Sequence, residues 1–134
     1  MFFVTKSGRI KRIPNPSQYQ IDWDGASKSK FQFATKQFLR TYWLNDYVFE
    51  EFRVCGTKMH FDFYNHSKKI VVEAQGRQHY KHVPYFHGKT GLKDQFRRDL
   101  DKIDFCAANS ITFVEISSEA ELTLEFFKKL DITL

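Results

Sequence analysis

The chain has 134 residues, a formal charge of +5 and 17% aromatic residues, most of them Phe. That length suits one domain with a true core, and the basic balance favours an anionic partner, although many basic surfaces serve only solubility. The two cysteines, Cys55 and Cys106, form neither a CxxC pair nor a disulfide framework, which fits a reducing compartment, and we read no signal peptide and no apolar run near the roughly 18 residues of a membrane span.

Residues 1–26 read as a basic N-terminal arm or extension. Phe2-Phe3-Val4 is a short strand, Lys6, Arg9, Lys11 and Arg12 surround Gly8, and Pro14 and Pro16 break regular structure. The arm either contacts phosphates or is simply solvated. Trp23-Asp24-Gly25 is a turn, and residues 27–134 form the main domain. The spacing predicts a helix over 27–44, opened by Ser27 or Ser29. Its apolar stripe is Phe31, Ala34, Phe38 and Tyr42, widened by Leu39, with Lys28, Lys30, Lys36 and Arg40 mainly on other faces.

Three strands follow: Tyr47 to Val54, Lys58 to Tyr64 and Lys69 to Ala74, the last two joined by an Asn65-His66-Ser67-Lys68 turn. The β-branched run Ile70-Val71-Val72 reads as a strand buried on both faces. If Tyr64 pairs with Lys69, Asp62 falls opposite Val71 and His60 opposite Glu73. Alternation then puts Asp62, Glu73 and Gln75 on one face. By the same rule Glu50 and Glu51 point to opposite faces, so one at most serves as a further acid at that site. Residues 75–91 are a loop rich in Gly, His, Tyr and basic groups. Leu92 to Asn109 is a helix with Leu92, Phe96, Leu100, Ile103 and Ala107 as its stripe, and Ile111 to Ile116 is a fourth strand placed as in a crossover unit. Ser118 and Glu121 form a capping box for a last helix that buries Leu122, Phe126, Phe127 and Leu130. The order implies a single α/β domain, a mixed central sheet flanked by helices on both faces.

Asp62, Glu73 and Gln75 are the main constellation. An ionised carboxylate at the end of a buried strand needs compensation, and a bound cation is one form of it. An oxygen-rich set suits Mg²⁺, or Mn²⁺, with water and a phosphate completing the shell; the plain alternative is two solvent-facing strand acids. His79 beside them is an acid/base group, a ligand or an ordinary loop histidine. Asp99 borders the apolar face of its helix and either reaches the sheet's polar end or pairs locally. Arg97 and Arg98 are phosphate contacts or solvated cations. His60, His66, His82 and His87 lack ligand spacing and are read as non-metal.

Asp62 followed by Glu73-Ala74-Gln75 within an αβββαβ order resembles the core of the PD-(D/E)XK nuclease superfamily. With Gly76-Arg77-Gln78-His79-Tyr80, Tyr85-Phe86-His87-Gly88, Arg98-Asp99, Lys102 and Phe105-Cys106, the chain resembles phage and viral nucleases related to the very-short-patch repair endonuclease and the EDxHD homing endonucleases, over roughly residues 27–117. The resemblance implies a restriction-endonuclease-like αβββαβα core and Mg²⁺-dependent hydrolysis of DNA phosphodiesters. Asp62, Glu73 and the carbonyl of Ala74 would hold the metal. Gln75, standing where many members have Lys and some restriction enzymes have Gln, would position water. His79 and Asp99 would match the later His and Asp of the pattern, and Gln32 stands where the family often places Glu. Lys6, Arg9, Lys11, Arg12, Arg77, Lys81, Arg97 and Arg98 would contact double-stranded DNA. The expectation is a homing or nicking endonuclease in the cytoplasm, of the host cell if viral, with specificity left to the arm, the 80–91 loop or a homo-oligomer. A catalytically silent nucleic-acid-binding or phage structural module, and an RNA-directed nuclease, are the alternatives.

Overall fold

Ile70, Val71 and Val72 are no more than 4% exposed, because their strand is internal to a sheet covered on both faces. The structure is a computed structural model that describes residues 1–54, 57–75 and 88–134, residues 88–96 as helical backbone only. Strands β3 (Val48–Arg53), β4 (His60–Asn65), β5 (Ile70–Ala74) and β6 (Thr112–Ile116) lie side by side in that order. The first three are antiparallel, and β6 runs parallel to β5. Among the described residues the helices are α1 (Lys30–Trp43), α2 (Gly88–Ala108), which lies between β5 and β6 in the chain, and the short α3 (Leu124–Lys129). The molecule is therefore a mixed α/β protein with a four-stranded mixed sheet.

Two cores sandwich the sheet. Val71, Phe49, Phe52, Phe61 and Tyr64 pack with Phe105 and Cys106 of α2. Ile70, Val72, Phe63, Val114 and Ile116 pack with Leu39 and Trp43 of α1 and Phe127 of α3. Strands β1 (Phe2–Val4) and β2 (Ile10–Arg12) pair as an antiparallel hairpin. Phe3 anchors it, with ring centroids 6.1, 6.0 and 5.5 Å from those of Phe52, Tyr64 and Phe105. Asn109 clamps it from the end of α2, accepting the Val4 N–H at 2.7 Å and donating to the Val4 carbonyl at 3.0 Å. The basic residues of the arm thus ride on a docked hairpin.

The helical stripes turn out rotated from those expected. Ser29 caps α1, its Oγ accepting the Gln32 N–H at 3.0 Å, but the face it buries is Gln32, Thr35, Lys36, Leu39 and Trp43. Phe31, Phe38 and Tyr42 pack only at the margin of that core. The polar residues go inside because they satisfy one another. Lys36 Nζ donates to the Gly25 carbonyl and Glu50 Oε1, both at 2.9 Å. Glu50 Oε2 also accepts from Ser27 Oγ at 2.8 Å and Gln32 Nε2 at 3.0 Å. A buried charge is tolerable when paired and hydrogen-bonded in this way. On α2, Leu100, Ile103 and Ala107 are exposed while Phe105 and Cys106 are buried; the Leu92 and Phe96 side chains lie outside the described set, as does Cys55. On α3 only Phe127 is fully buried, and Leu130 is 50% exposed. The box residues Ser118 and Glu121 open a separate 3₁₀ turn, and Thr123 caps α3 itself.

Removing one partner of a buried ion pair strands the other. Glu50→Ala is expected to lower the unfolding free energy by about 3 kcal/mol. Asp24→Ala breaks only the solvent-exposed pair with Arg40 and should leave the urea midpoint unchanged. Equilibrium unfolding followed by circular dichroism checks both.

Candidate active site

The β4–β5 register is Asn65↔Ile70, Tyr64↔Val71 and Phe63↔Val72, two residues removed from the expected Tyr64–Lys69 pairing. A shift of two preserves parity. Continued past Phe63↔Val72, the register brings Asp62 opposite Glu73, and side chains there take over the role of the backbone ladder. The Asp62 N–H donates to Glu73 Oε2 at 2.7 Å, and the Ala74 N–H donates to Asp62 Oδ2 at 2.9 Å. Each acid is held by the other's strand, so the two carboxylates are drawn together at the point where the ladder ends.

Glu73 is only 1% exposed. Burial raises its pKa most, the neighbouring Asp62 charge adds to this, and Lys102 and the Asp62 amide pull back, leaving it at about 7. Burial likewise raises Asp62, as does Glu51, against the Ala74 amide, Lys102 and His60. Lys102 reaches down from α2 and ion-pairs with Glu73 Oε1.

On the other side of Asp62, alternation fails. Glu51 has φ 52, in the left-handed region that a non-glycine residue adopts only when its surroundings hold it there. The consequence is that Glu50 and Glu51, expected on opposite faces, converge: Gln32 Nε2 donates to Glu50 Oε2 and, at 2.9 Å, to Glu51 Oε1. Glu51, His60 and Asp62 each bring one donor atom to within 4.8 Å of the others. His60 Nε2 lies 3.6 Å from Glu51 Oε2. Two carboxylates and an imidazole form a donor set that fits a divalent cation, imidazole tilting it toward transition ions.

Gln32, Asp62, Glu73, Gln75, Asp99 and Lys102 line a single cleft, and Lys6, Lys28, Lys58 and Arg98 stand in its walls. The structure therefore brings together Asp62, Glu73, Ala74, Gln75, Asp99, Lys6 and Arg98 among the residues singled out from sequence. Gln75 is tied to β6 through its N–H, which donates to the Ile116 carbonyl at 2.9 Å. Lys6 pairs with Asp101 at 3.3 Å. Arg9, Lys11 and Arg12 are exposed on the hairpin and Arg97 on α2, outside the residues that line the cleft. Arg77, His79 and Lys81 lie outside the described residues. Glu50 is turned to Lys36.

Two site residues were missed. His60, read as non-metal, stands two residues before Asp62 on β4, so strand alternation was the signal that the two share a face. Lys102, quoted in the resemblance but given no role there, sits three and four residues before the buried Phe105 and Cys106. That helical spacing was the signal that its stem lies on the inward face.

No family model matches the chain, and no solved structure matches it. It is 38% identical over 63 residues to "Uncharacterized protein 094L" of Frog virus 3 (isolate Goorha), a match covering 46% of this chain and 41% of that protein. It is 37% identical over 59 residues to "Uncharacterized protein 307L" of Invertebrate iridescent virus 6, covering 43% of this chain and 30% of that protein. The matches thus span less than half of each viral relative. Among the described residues no helix is long and apolar enough to cross a membrane.

The Glu73 carboxyl titrates at about 7 when folded against an ordinary 4.5, so the folded state holds its proton more tightly than the unfolded chain. Its contribution to stability therefore falls as pH rises through that window and is lost above it. With metal removed by EDTA, Glu73→Gln should gain on the wild type by on the order of 2 kcal/mol between about pH 5 and about pH 8. Chemical denaturation at the two pH values reads the difference directly.

Proposed function

We propose that the protein is a metal-dependent endonuclease of the PD-(D/E)XK type, acting on DNA phosphodiesters from a restriction-endonuclease-like core. The observation that carries the reading is the reciprocal clasp of Asp62 and Glu73, each carboxylate on the other strand's amide, within a cleft walled by lysines and Arg98. Asp62, Glu73 and the Ala74 carbonyl would hold Mg²⁺. Glu51 and His60, adjoining Asp62, extend the donors to a set that also suits Mn²⁺. A divalent ion there supplies an activated water and neutralises charge on a phosphate.

The remaining roles belong to the chain itself. Gln75 orients the attacking water from the end of β5. Lys6 and Arg98 meet backbone phosphates at the cleft wall, with salt-dependent affinity, and Arg9, Lys11, Arg12 and Arg97 add to the basic field around it. Arg77, Lys81 and His79 are assigned to phosphate contact and proton transfer on the sequence resemblance alone. The relatives are viral proteins, which supports a viral source; action in host cytoplasm is proposed on the sequence reading alone. A silent nucleic-acid-binding module is the second reading, favoured by the neutral Gln32 and Gln75.

Supercoiled plasmid incubated with Mg²⁺, Mn²⁺ or EDTA separates the two. Metal-dependent nicking is expected, reduced at least about 100-fold in Asp62→Asn and Glu73→Gln, since losing a ligand should cost no less than the roughly 10- to 100-fold lost when a group that merely orients a ligand is removed. Duplex binding without cleavage of plasmid, linear duplex, single strands or RNA would leave only the silent module.

A further inference from the structure

Lys102 has one hydrogen bond among the described residues, to Glu73 Oε1. The other oxygen of that carboxylate is committed to the Asp62 amide. Both oxygens of Glu73 are thus occupied by the protein, and a cation drawing on Glu73 has to take Oε1 from Lys102. The lysine is placed to give it up. Its side chain retains 15% exposure against 1% for Glu73, it opens onto the cleft, and its ammonium sits on a flexible four-carbon stem with three donors. Arg98, one helical turn earlier on α2, lines the same cleft, so a displaced ammonium has an anion-attracting neighbour beside it.

The contrast with Lys36 sharpens the point. Lys36 is 1% exposed, and its ammonium meets two backbone carbonyls as well as Glu50. That ammonium is locked. Among the described residues Lys102 is held by one carboxylate only, and position 75, just past the end of β5, is Gln rather than a cation.

We propose that Lys102 is an exchangeable counter-ion: it balances Glu73 until a divalent cation takes Oε1, and then swings beside Arg98 to meet an anionic phosphate in the cleft. Cation and phosphate binding are coupled through this one side chain, and the coupling is reciprocal by linkage. The inference rests on the metal-dependent reading above and names the residue that supplies the mobile positive charge of that site.

The test uses Mn²⁺ alone, without nucleic acid, on the full chain at about pH 8.5 to keep Glu73 ionised. Binding is measured by titration calorimetry and by loss of the free-ion electron paramagnetic resonance signal. Lys102→Met removes the competitor, so it should bind Mn²⁺ at least about tenfold more tightly than wild type, a conservative value for the loss of one close competing charge. Lys102→Arg keeps a cation on Glu73 and should bind as wild type does. Inorganic phosphate should bind more tightly to the Mn²⁺-loaded than to the metal-free wild type, and Lys102→Met should lose that gain. Thermal melts of each variant confirm that it is folded. Equal or weaker Mn²⁺ binding by folded Lys102→Met, beside binding by wild type that Asp62→Asn abolishes, overturns the exchange while sparing the metal site. Absence of Mn²⁺ binding by wild type and Lys102→Met alike overturns the metal-dependent reading and the exchange together.

Discussion

Burying the Glu73 carboxylate is the constraint on which the rest of the site is built. The sequence Ile-Val-Val-Glu carries a strand through two cores and ends it on an acid with 1% exposure. An ionised carboxylate in such a place is unfavourable by several kcal/mol unless local donors replace water. Two do so here, the Asp62 amide and the Lys102 ammonium. The first requires that the β4–β5 ladder stop at Phe63↔Val72. The second requires that α2 pack its Phe105–Cys106 face on the sheet. Sheet register and helix rotation are thus both coupled to one side chain.

A second buried polar cluster lies next to it and behaves differently. Lys36, Gln32 and Glu50 close on themselves through hydrogen bonds of 2.9 to 3.0 Å, with Ser27 adding another. That cluster fixes α1 against β3. Its one loose end is Gln32 Nε2, which also holds Glu51, and through Glu51 the structural cluster borders the Glu51–His60–Asp62 group. A closed network rigidifies, whereas one with exchangeable partners is where a ligand can enter. The Lys36–Gln32–Glu50 cluster is the first case; the exchange proposed for Lys102 would make Glu73 the second.

The order of elements and the buried nature of β5 were legible in the sequence, because β-branched runs, turn residues and caps are local signals. The shared face of Asp62 and Glu73 was legible too, since parity survives a two-residue slip even though the partner residues change. The helix faces were not. Periodicity counts apolar residues, and α1 buries Gln32, Thr35 and Lys36 in preference to fully burying Phe31 and Phe38, a choice made by Glu50 on a distant strand. The left-handed Glu51 left no trace either, as neither glycine nor asparagine marks the position. Lys102 was hidden for a related reason, since it reaches Glu73 through the packing of α2 on the sheet, whereas His60 shares a strand face with Asp62 by simple alternation.

The route by which positive charge enters the cleft has chemical consequences. A lysine on β5 two positions after Glu73 would stand beside that acid on a rigid strand, fixed whether or not a cation is bound. Gln75 removes that option and leaves a neutral amide at the spot. A lysine from α2 arrives from a different element instead, bringing its ammonium to the carboxylate. Its charge serves the folded protein first, by moderating the burial of Glu73 and the raised carboxyl of Asp62. The same contact that makes Glu73 tolerable in the folded protein is, on the proposed reading, the one a cation would have to displace. On that reading, stability of the fold and affinity for a cation would be opposed through a single ammonium group.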